Sequence, residues 1–101
     1  MAETICEGGR FDISCPDGKT IDVVEASYGR HDRETCFSST AKDFDCHYVH
    51  SLASVRHLCQ GKPSCRSSVT NGIIVGFNGN PKLDDPCYGT RKYLQLTYYC
   101  H

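Results

Sequence analysis

The residues equipped for chemistry in this chain fall into three sets: eight cysteines, five histidines, and two short stretches in which charged and aromatic side chains flank a glycine. The cysteines, Cys6, Cys15, Cys36, Cys46, Cys59, Cys65, Cys87 and Cys100, are spread from one end of the chain to the other. Zinc sites show close pairs, and no Cys-x-x-Cys occurs here. The pattern therefore predicts disulfides, each stabilising a short chain by roughly 2–4 kcal/mol through restriction of its unfolded state. An even count leaves no spare thiol for an interchain bridge, while about a hundred pairings remain open on spacing alone.

The histidines offer acid–base or metal chemistry. His47 and His50 lie three apart near a predicted helix start, which could place both rings on one face, but no third ligand is suggested beside them. A secreted ribonuclease needs two histidines as acid and base and a cation for the phosphate. His47 or His50 with His101 and Lys92 would supply the residue types, although nothing in their spacing demands that role. No Gly-x-Ser-x-Gly occurs and every cysteine is committed to a bridge, so a Ser or Cys hydrolase has still less to rest on. The reading is a non-enzymatic domain with no metal and no cofactor.

The third set comprises Ala26-Ser27-Tyr28-Gly29-Arg30 and the run from Asp85-Pro86-Cys87 through Tyr88-Gly89-Thr90-Arg91-Lys92 to Tyr93-Leu94. Each alone has a structural explanation: a strand end with a turn glycine, and a turn pinned by a disulfide. What they do depends on the elements that position them. At 101 residues there is room for a single domain, spanning 1–101. Phe11, Ile13 and Cys15 alternate with polar residues as a half-buried strand does. Pro16-Asp17-Gly18-Lys19 supplies turn residues and Thr20–Val24 restarts with β-branched ones, which predicts a hairpin. Residues 28–45 are polar and read as connecting loop. Val49, Leu52, Val55 or Arg56, and Cys59 recur at helical spacing ahead of Gly61 and Pro63, predicting a helix over about His50–Gln60 with Leu52, Val55 and Cys59 facing inward. Arg66–Thr70 reads as a short strand. Residues 71–86 have loop composition, with Ile73-Ile74-Val75 as a brief strand. The segment Lys92–Cys100, in which Leu94, Leu96, Tyr98 and Cys100 alternate with Gln95, Thr97 and Tyr99, is the clearest strand. The sum is an α+β domain with an antiparallel sheet and one substantial helix.

Composition narrows the partners. A net charge of −1 from interspersed residues provides no basic stripe for nucleic acid. No apolar run approaches about 18 residues, so no membrane insertion is expected. Cysteine density points to an oxidising compartment, secreted or extracellular. Residues 1–5 lack the charged and apolar regions of a signal peptide, which reads as a mature domain with an initiator Met or as a piece of something larger.

Taken together, Tyr28-Gly29-Arg30 and the Asp85-Pro86-Cys87-x-Gly89-Thr90-x-Lys92-Tyr93-Leu94 motif, in register with eight cysteines, make the chain resemble the rhamnose/galactose-binding lectins of sea-urchin-egg type, which include the lectin domain of latrophilin-type receptors. Cys6-Glu7-Gly8, Ile13-Ser14-Cys15-Pro16 and Leu96-x-Tyr98-x-Cys100 extend the resemblance over nearly the whole chain. It implies a sandwich-like arrangement of antiparallel sheets with one longer and one short helix, and the pairing Cys6–Cys36, Cys15–Cys100, Cys46–Cys87 and Cys59–Cys65. Carried over residue by residue, it implies a carbohydrate site of Glu7, Tyr28, Asp85, Gly89 and Lys92, with Thr90 adjacent. The residue types suit that task. Asp85 and Glu7 accept from sugar hydroxyls, and Lys92 donates charge-assisted bonds. Tyr28 offers a ring face and a hydroxyl, and Gly89 allows close backbone approach. Arg30 is expected to be a structural salt-bridge partner. The stretch 73–84 is longer than the family pattern and runs into the site, where it bears on fine specificity. The function implied is a metal-independent lectin, or agglutinin, for terminal galactosyl or rhamnosyl glycans. The alternatives are an adhesion-receptor domain binding a protein and, less favoured, a ribonuclease-like enzyme. A single shallow site binds weakly, so a non-covalent homodimer or a multidomain origin is expected.

Overall fold

The computed structural model describes residues 1–37, 45–77, 85, 87 and 89–101. Along the chain these form β1 (Ala2–Cys6), β2 (Arg10–Ser14), β3 (Ile21–Arg30), β4 (Cys46–His47), α1 (Ser51–Cys59), β5 (Ser64–Ser68), α2 (Asn71–Ile74), a 3-10 turn over Val75–Phe77, and β6 (Tyr93–Cys100). The strands make two antiparallel sheets, one ordered β1-β6-β3-β4 and one pairing β2 with β5. This is the expected α+β class, and all four implied disulfides are present: Cys6–Cys36, Cys15–Cys100, Cys46–Cys87 and Cys59–Cys65.

The core follows from strand alternation. Leu94, Leu96 and Tyr98 of β6 are buried while Gln95 and Tyr99 are exposed, and β2 buries Phe11 and Ile13 between exposed neighbours. Ile21, Val23 and Tyr28 of β3 join them, with Val55 and Cys59 of α1 closing the cluster. The helix falls where its periodicity placed it. Its buried face also carries Ser51 and Ser54, whose hydroxyls are satisfied inside the protein: the Tyr28 amide donates to Ser51 Oγ at 2.9 Å, and Ser54 Oγ donates to the Ile74 carbonyl at 2.8 Å. Among the described residues no helix is long and apolar enough to cross a membrane.

Four local expectations are corrected. The residues around Pro16–Lys19 do turn the chain, with Gly18 at φ +80 and the Lys19 amide donating to the Pro16 carbonyl, but no hairpin results. The turn instead hands the chain from one sheet to the other. Strand β2 pairs with β5, while β3 pairs with β6, and Thr20 exchanges two backbone hydrogen bonds with His101. The longer partnership wins: β3 runs ten residues and matches β6 along its length. For the same reason β3 continues to Arg30, so the polar stretch 28–45 begins as strand, and residues 38–44 of it lie outside the described set. Ile73 and Ile74 belong to α2, and Val75 to the turn that follows. The Thr70 side chain accepts from the Ile73 amide and caps the helix, and three apolar residues are too few to show a period. His47 sits in β4 and His50 at the N-cap of α1, so they do not share a helix face. Strand β1 was not anticipated. It is a short edge strand, exposed over Ala2, Glu3 and Thr4, recruited by β6 in the register Ala2↔Thr97 to Cys6↔Tyr93.

Candidate functional site

The two motif stretches and Glu7 meet where the two sheets adjoin. Strand β1 ends at Cys6 and the chain turns through Gly8, at φ +91. The Glu7 amide donates to the Lys92 carbonyl at 2.8 Å, and the Glu7 carboxylate accepts from the Lys92 amide at 2.9 Å. Gly8 and Gly9 exchange backbone bonds with Val69 just beyond β5. Glu7 is thereby pinned between the start of β6 on one side and the end of β5 on the other.

Lys92 is the centre of the arrangement. Its Nζ lies 3.1 Å and 3.3 Å from the two Asp85 oxygens, 3.3 Å from Glu7 Oε1 and 2.9 Å from the Thr90 carbonyl, and the residue is only 2% exposed. A buried ammonium has to be paired and hydrogen-bonded, and here every donor has an oxygen. Asp85 is held from two further sides. Its Oδ1 accepts from the Cys87 amide at 3.0 Å and its Oδ2 from Asn71 Nδ2 at 2.9 Å. The Cys46–Cys87 bridge ties that turn to β4.

Tyr28 reaches the same network from beneath. Its hydroxyl donates to Asn71 Oδ1 at 2.6 Å, which makes a relay from Tyr28 through the Asn71 amide to Asp85. Burial, reinforced by the nearby Glu7 and Asp85 carboxylates, pushes the phenol far above its ordinary range, so it remains a donor throughout the stable pH span. The ring is fully buried, however, and presents no face to solvent. The expected stacking surface is therefore absent in this arrangement, because β3 alternation turns Tyr28 into the core and leaves only its hydroxyl near the site.

Above the network lies an open cleft of about 580 Å³ lined by Glu7, Asn71, Asp85, Gly89, Arg91 and Lys92, among others. Gly89, at φ +79, is exposed, and Thr90 is buried beside it. All six anticipated residues are thus gathered in one place, five on the cleft wall and Tyr28 behind it. Asn71 was missed. It carries no motif and stood in a stretch that read as loop, so only its place at the start of α2, beside Asp85, reveals it.

Two structural readings of the Tyr28-Gly29-Arg30 triplet change. Gly29 is not a turn glycine. It lies within β3 opposite His47, and a Cβ there would land on the Cys46 carbonyl and the His47 Cα, so its lack of a side chain lets β4 approach. Arg30 is structural but not through a salt bridge. Its guanidinium, fully buried, donates to the carbonyls of Arg91, Asp32, Thr35 and Cys36, and stacks over Tyr93 at 5.4 Å. A buried cation needs acceptors, and the 32–36 loop supplies them as carbonyls.

The other candidate chemistry does not assemble. His101 pairs with Asp22 at the far end of β6, roughly 30 Å along the strand from Lys92. Among the described residues no three His, Cys, Asp or Glu side chains converge as metal ligands, and every cysteine is bridged. The long stretch before Asp85 begins as α2 and the 3-10 turn, while its residues 78–84 lie outside the described set.

Comparison with known proteins agrees with this geometry. Residues 13–100 match the D-galactoside/L-rhamnose binding SUEL lectin domain. The chain is 37% identical to a D-galactoside-specific lectin of Heliocidaris crassispina, covering 97% of this chain and 88% of that protein. It is 38% identical to an L-rhamnose-binding lectin of Echinometra lucunter, again over 97% of this chain and 88% of the relative. A latrophilin-like protein of Caenorhabditis elegans is 28% identical over 99% of this chain, which spans only 9% of that protein. The first two relatives are lectins, a non-enzymatic family. With the eight cysteines, their four bridges and both motifs in place, the chain belongs to the SUEL family of D-galactoside/L-rhamnose binding lectin domains.

Proposed function

We propose that this domain, spanning 1–101, is a metal-independent lectin that takes terminal galactose- or rhamnose-like residues of cell-surface glycans into the cleft over Lys92. The observation that carries the reading is the pair of carboxylates, Glu7 and Asp85, locked in place by one buried ammonium and opening onto solvent. Neighbouring hydroxyls on a pyranose ring are donors, and two fixed acceptors read their spacing. Lys92 holds both carboxylates and offsets one of their two charges without a metal ion, and its ammonium meets a ligand oxygen only where the cleft uncovers it. Gly89 and the buried Thr90 form the adjoining wall, and a side chain at Gly89 would hold the ligand off the backbone. An open cleft gives a weak single site, so agglutination requires several sites, here through a non-covalent homodimer or repeated domains. A disulfide-rich lectin domain fits an extracellular setting, and secretion is the corresponding proposal.

The test is haemagglutination and a glycan array, each run with and without EDTA. Inhibition by galactose or rhamnose, unchanged by the chelator, is the expected result. Loss of binding in EDTA would remove the metal-independent reading, and an array without galactosyl or rhamnosyl signal would remove the ligand class and favour a protein partner.

Tyr28→Phe tests the relay beneath the site. Deleting one hydroxyl leaves the ring packed and removes the donor that orients Asn71. The expected change is about 1 kcal/mol in stability, with a several-fold weaker galactoside affinity by calorimetry. Unchanged affinity would show that Asn71 holds Asp85 without help.

A further inference from the structure

We propose that the preferred glycan carries an anionic group, a sulfate ester or a carboxylate, that Arg91 binds at the rim of the cleft. This rests on the lectin reading above and narrows its ligand class.

The charged side chains of the cleft are not equivalent. Glu7, Asp85 and Lys92 satisfy one another within 3.3 Å, and Lys92 is almost wholly covered. Arg91 lines the same cleft and is exposed, and among the described residues its guanidinium has no hydrogen-bond or ion-pair partner. Its backbone is nevertheless fixed. Arg30 Nε donates to the Arg91 carbonyl at 2.7 Å, and the next residue is tied to Glu7 through both amide and carbonyl. The result is an anchored Cα carrying a free planar fork of five donors, which matches two oxygens of a sulfate or carboxylate.

The same charges define which part of the ligand is anionic. Oxygens of Asp85 and Glu7 accept hydrogen bonds and repel anions, so the ring positions that meet them have to bear free hydroxyls. The anionic substituent belongs on a different carbon, at the Arg91 end. The four side chains together carry no net charge, so the attraction for an anion is local to Arg91 rather than a property of the whole cleft, and Lys92 contributes little because its donors are taken.

The folded domain is titrated with a neutral methyl galactoside, its 3-O- and 6-O-sulfated forms and a galactoside bearing a carboxylate, in low and high salt, for the parent chain and for Arg91→Ala, Arg91→Lys and Arg91→Glu. One anionic form is expected to bind about five- to tenfold tighter than the neutral sugar at low salt, the ratio collapsing as salt rises. Arg91→Ala brings the ratio to about one, Arg91→Lys keeps part of it, and Arg91→Glu inverts it, as expected when a single charge is reversed. The sulfate and carboxylate arms separate the two sources of the anion. Equal affinity for neutral and anionic forms in the parent chain overturns the inference, as does a preference that survives in Arg91→Ala or is insensitive to salt. Because the salt series uses the parent chain, it decides the matter even where a variant melts early. Absence of binding to every galactoside and to a rhamnoside would instead overturn the lectin reading itself.

Discussion

Asp85→Asn is expected to weaken galactoside binding by about a hundredfold, the equivalent of one or two charge-assisted hydrogen bonds at roughly 1.5–3 kcal/mol each. The substitution keeps shape and removes both charge and acceptor symmetry. Asp85 now accepts on Oδ1 from the Cys87 amide and on Oδ2 from Asn71, and faces Lys92 with both oxygens. A carboxamide has one oxygen, so whichever way it lies, its NH₂ confronts a donor. Lys92, 2% exposed, is left with Glu7 and the Thr90 carbonyl, which destabilises the fold as well. A melting curve alone would then confuse folding with binding. The double variant Asp85→Asn/Lys92→Met separates them, since removing the stranded charge restores stability while leaving the carboxylate absent. Recovery of the melting temperature without recovery of sugar affinity is the expected pattern, read by calorimetry and near-UV circular dichroism. Retention of affinity within threefold in the folded double variant would move the binding site away from this cleft.

How much of this was legible in the residues alone differs from feature to feature, for physical reasons. Alternation marked β6 and β2, and the 3.6-residue recurrence with Gly61 beyond it marked α1, because in these elements burial follows period. Pairing was not legible. A turn at Pro16–Lys19 looks the same whether the strand it launches folds back or crosses to another sheet, and only the match of β3 to β6 decides. Strand β1 was hidden because an edge strand needs no apolar face of its own. Disulfide pairing could not be obtained from spacing and came from the family resemblance, which the four bridges bear out.

The site shows the same division. Glu7, Asp85 and Lys92 carry the charges that chemistry selects, and the fold brings them within 3.3 Å. The Tyr28-Gly29-Arg30 triplet is buried, and each of its residues sets neighbouring geometry. Tyr28 orients Asn71, Gly29 lets β4 close on β3 with Cys46 and so sets one end of the bridge to Cys87, and Arg30 holds the Arg91 carbonyl. Three adjacent residues therefore position the Asp85 turn, the disulfide behind it and the strand that delivers Lys92. The chain alone does not disclose which side chains of such a motif are buried, because burial here is set by the pairing of β3 with β4 and β6.

Arg30→Met is expected to be the most destabilising single change outside the cysteines, by about 3–5 kcal/mol. The aliphatic stem is preserved, and the loss lies in the guanidinium, which also gives up its place over the Tyr93 ring. Four carbonyls, those of Arg91, Asp32, Thr35 and Cys36, would lose their donor. Cys36 adds a further term. It adopts φ +52, a left-handed conformation that costs a non-glycine residue about 1–2 kcal/mol. That conformation is held by the bridge to Cys6 and by the Arg30 bond to its carbonyl. Without the guanidinium the 32–36 loop loses its donor to three carbonyls, while the Cys6–Cys36 bridge remains and the Asp32 side chain, whose carboxyl the Thr35 amide and hydroxyl hold below its usual range, still closes the local turn. Arg30→Lys does not rescue the fold, because one ammonium at the end of a flexible stem cannot span acceptors that a planar fork reaches together. Chemical denaturation of the disulfide-intact domain reads the stability directly. Since Arg30 also fixes the Arg91 carbonyl, sugar affinity falls along with it in the variant that still folds at low temperature. A loss below about 1 kcal/mol, the worth of a single ordinary hydrogen bond, would mean that water replaces the guanidinium at these carbonyls and that the loop does not depend on Arg30.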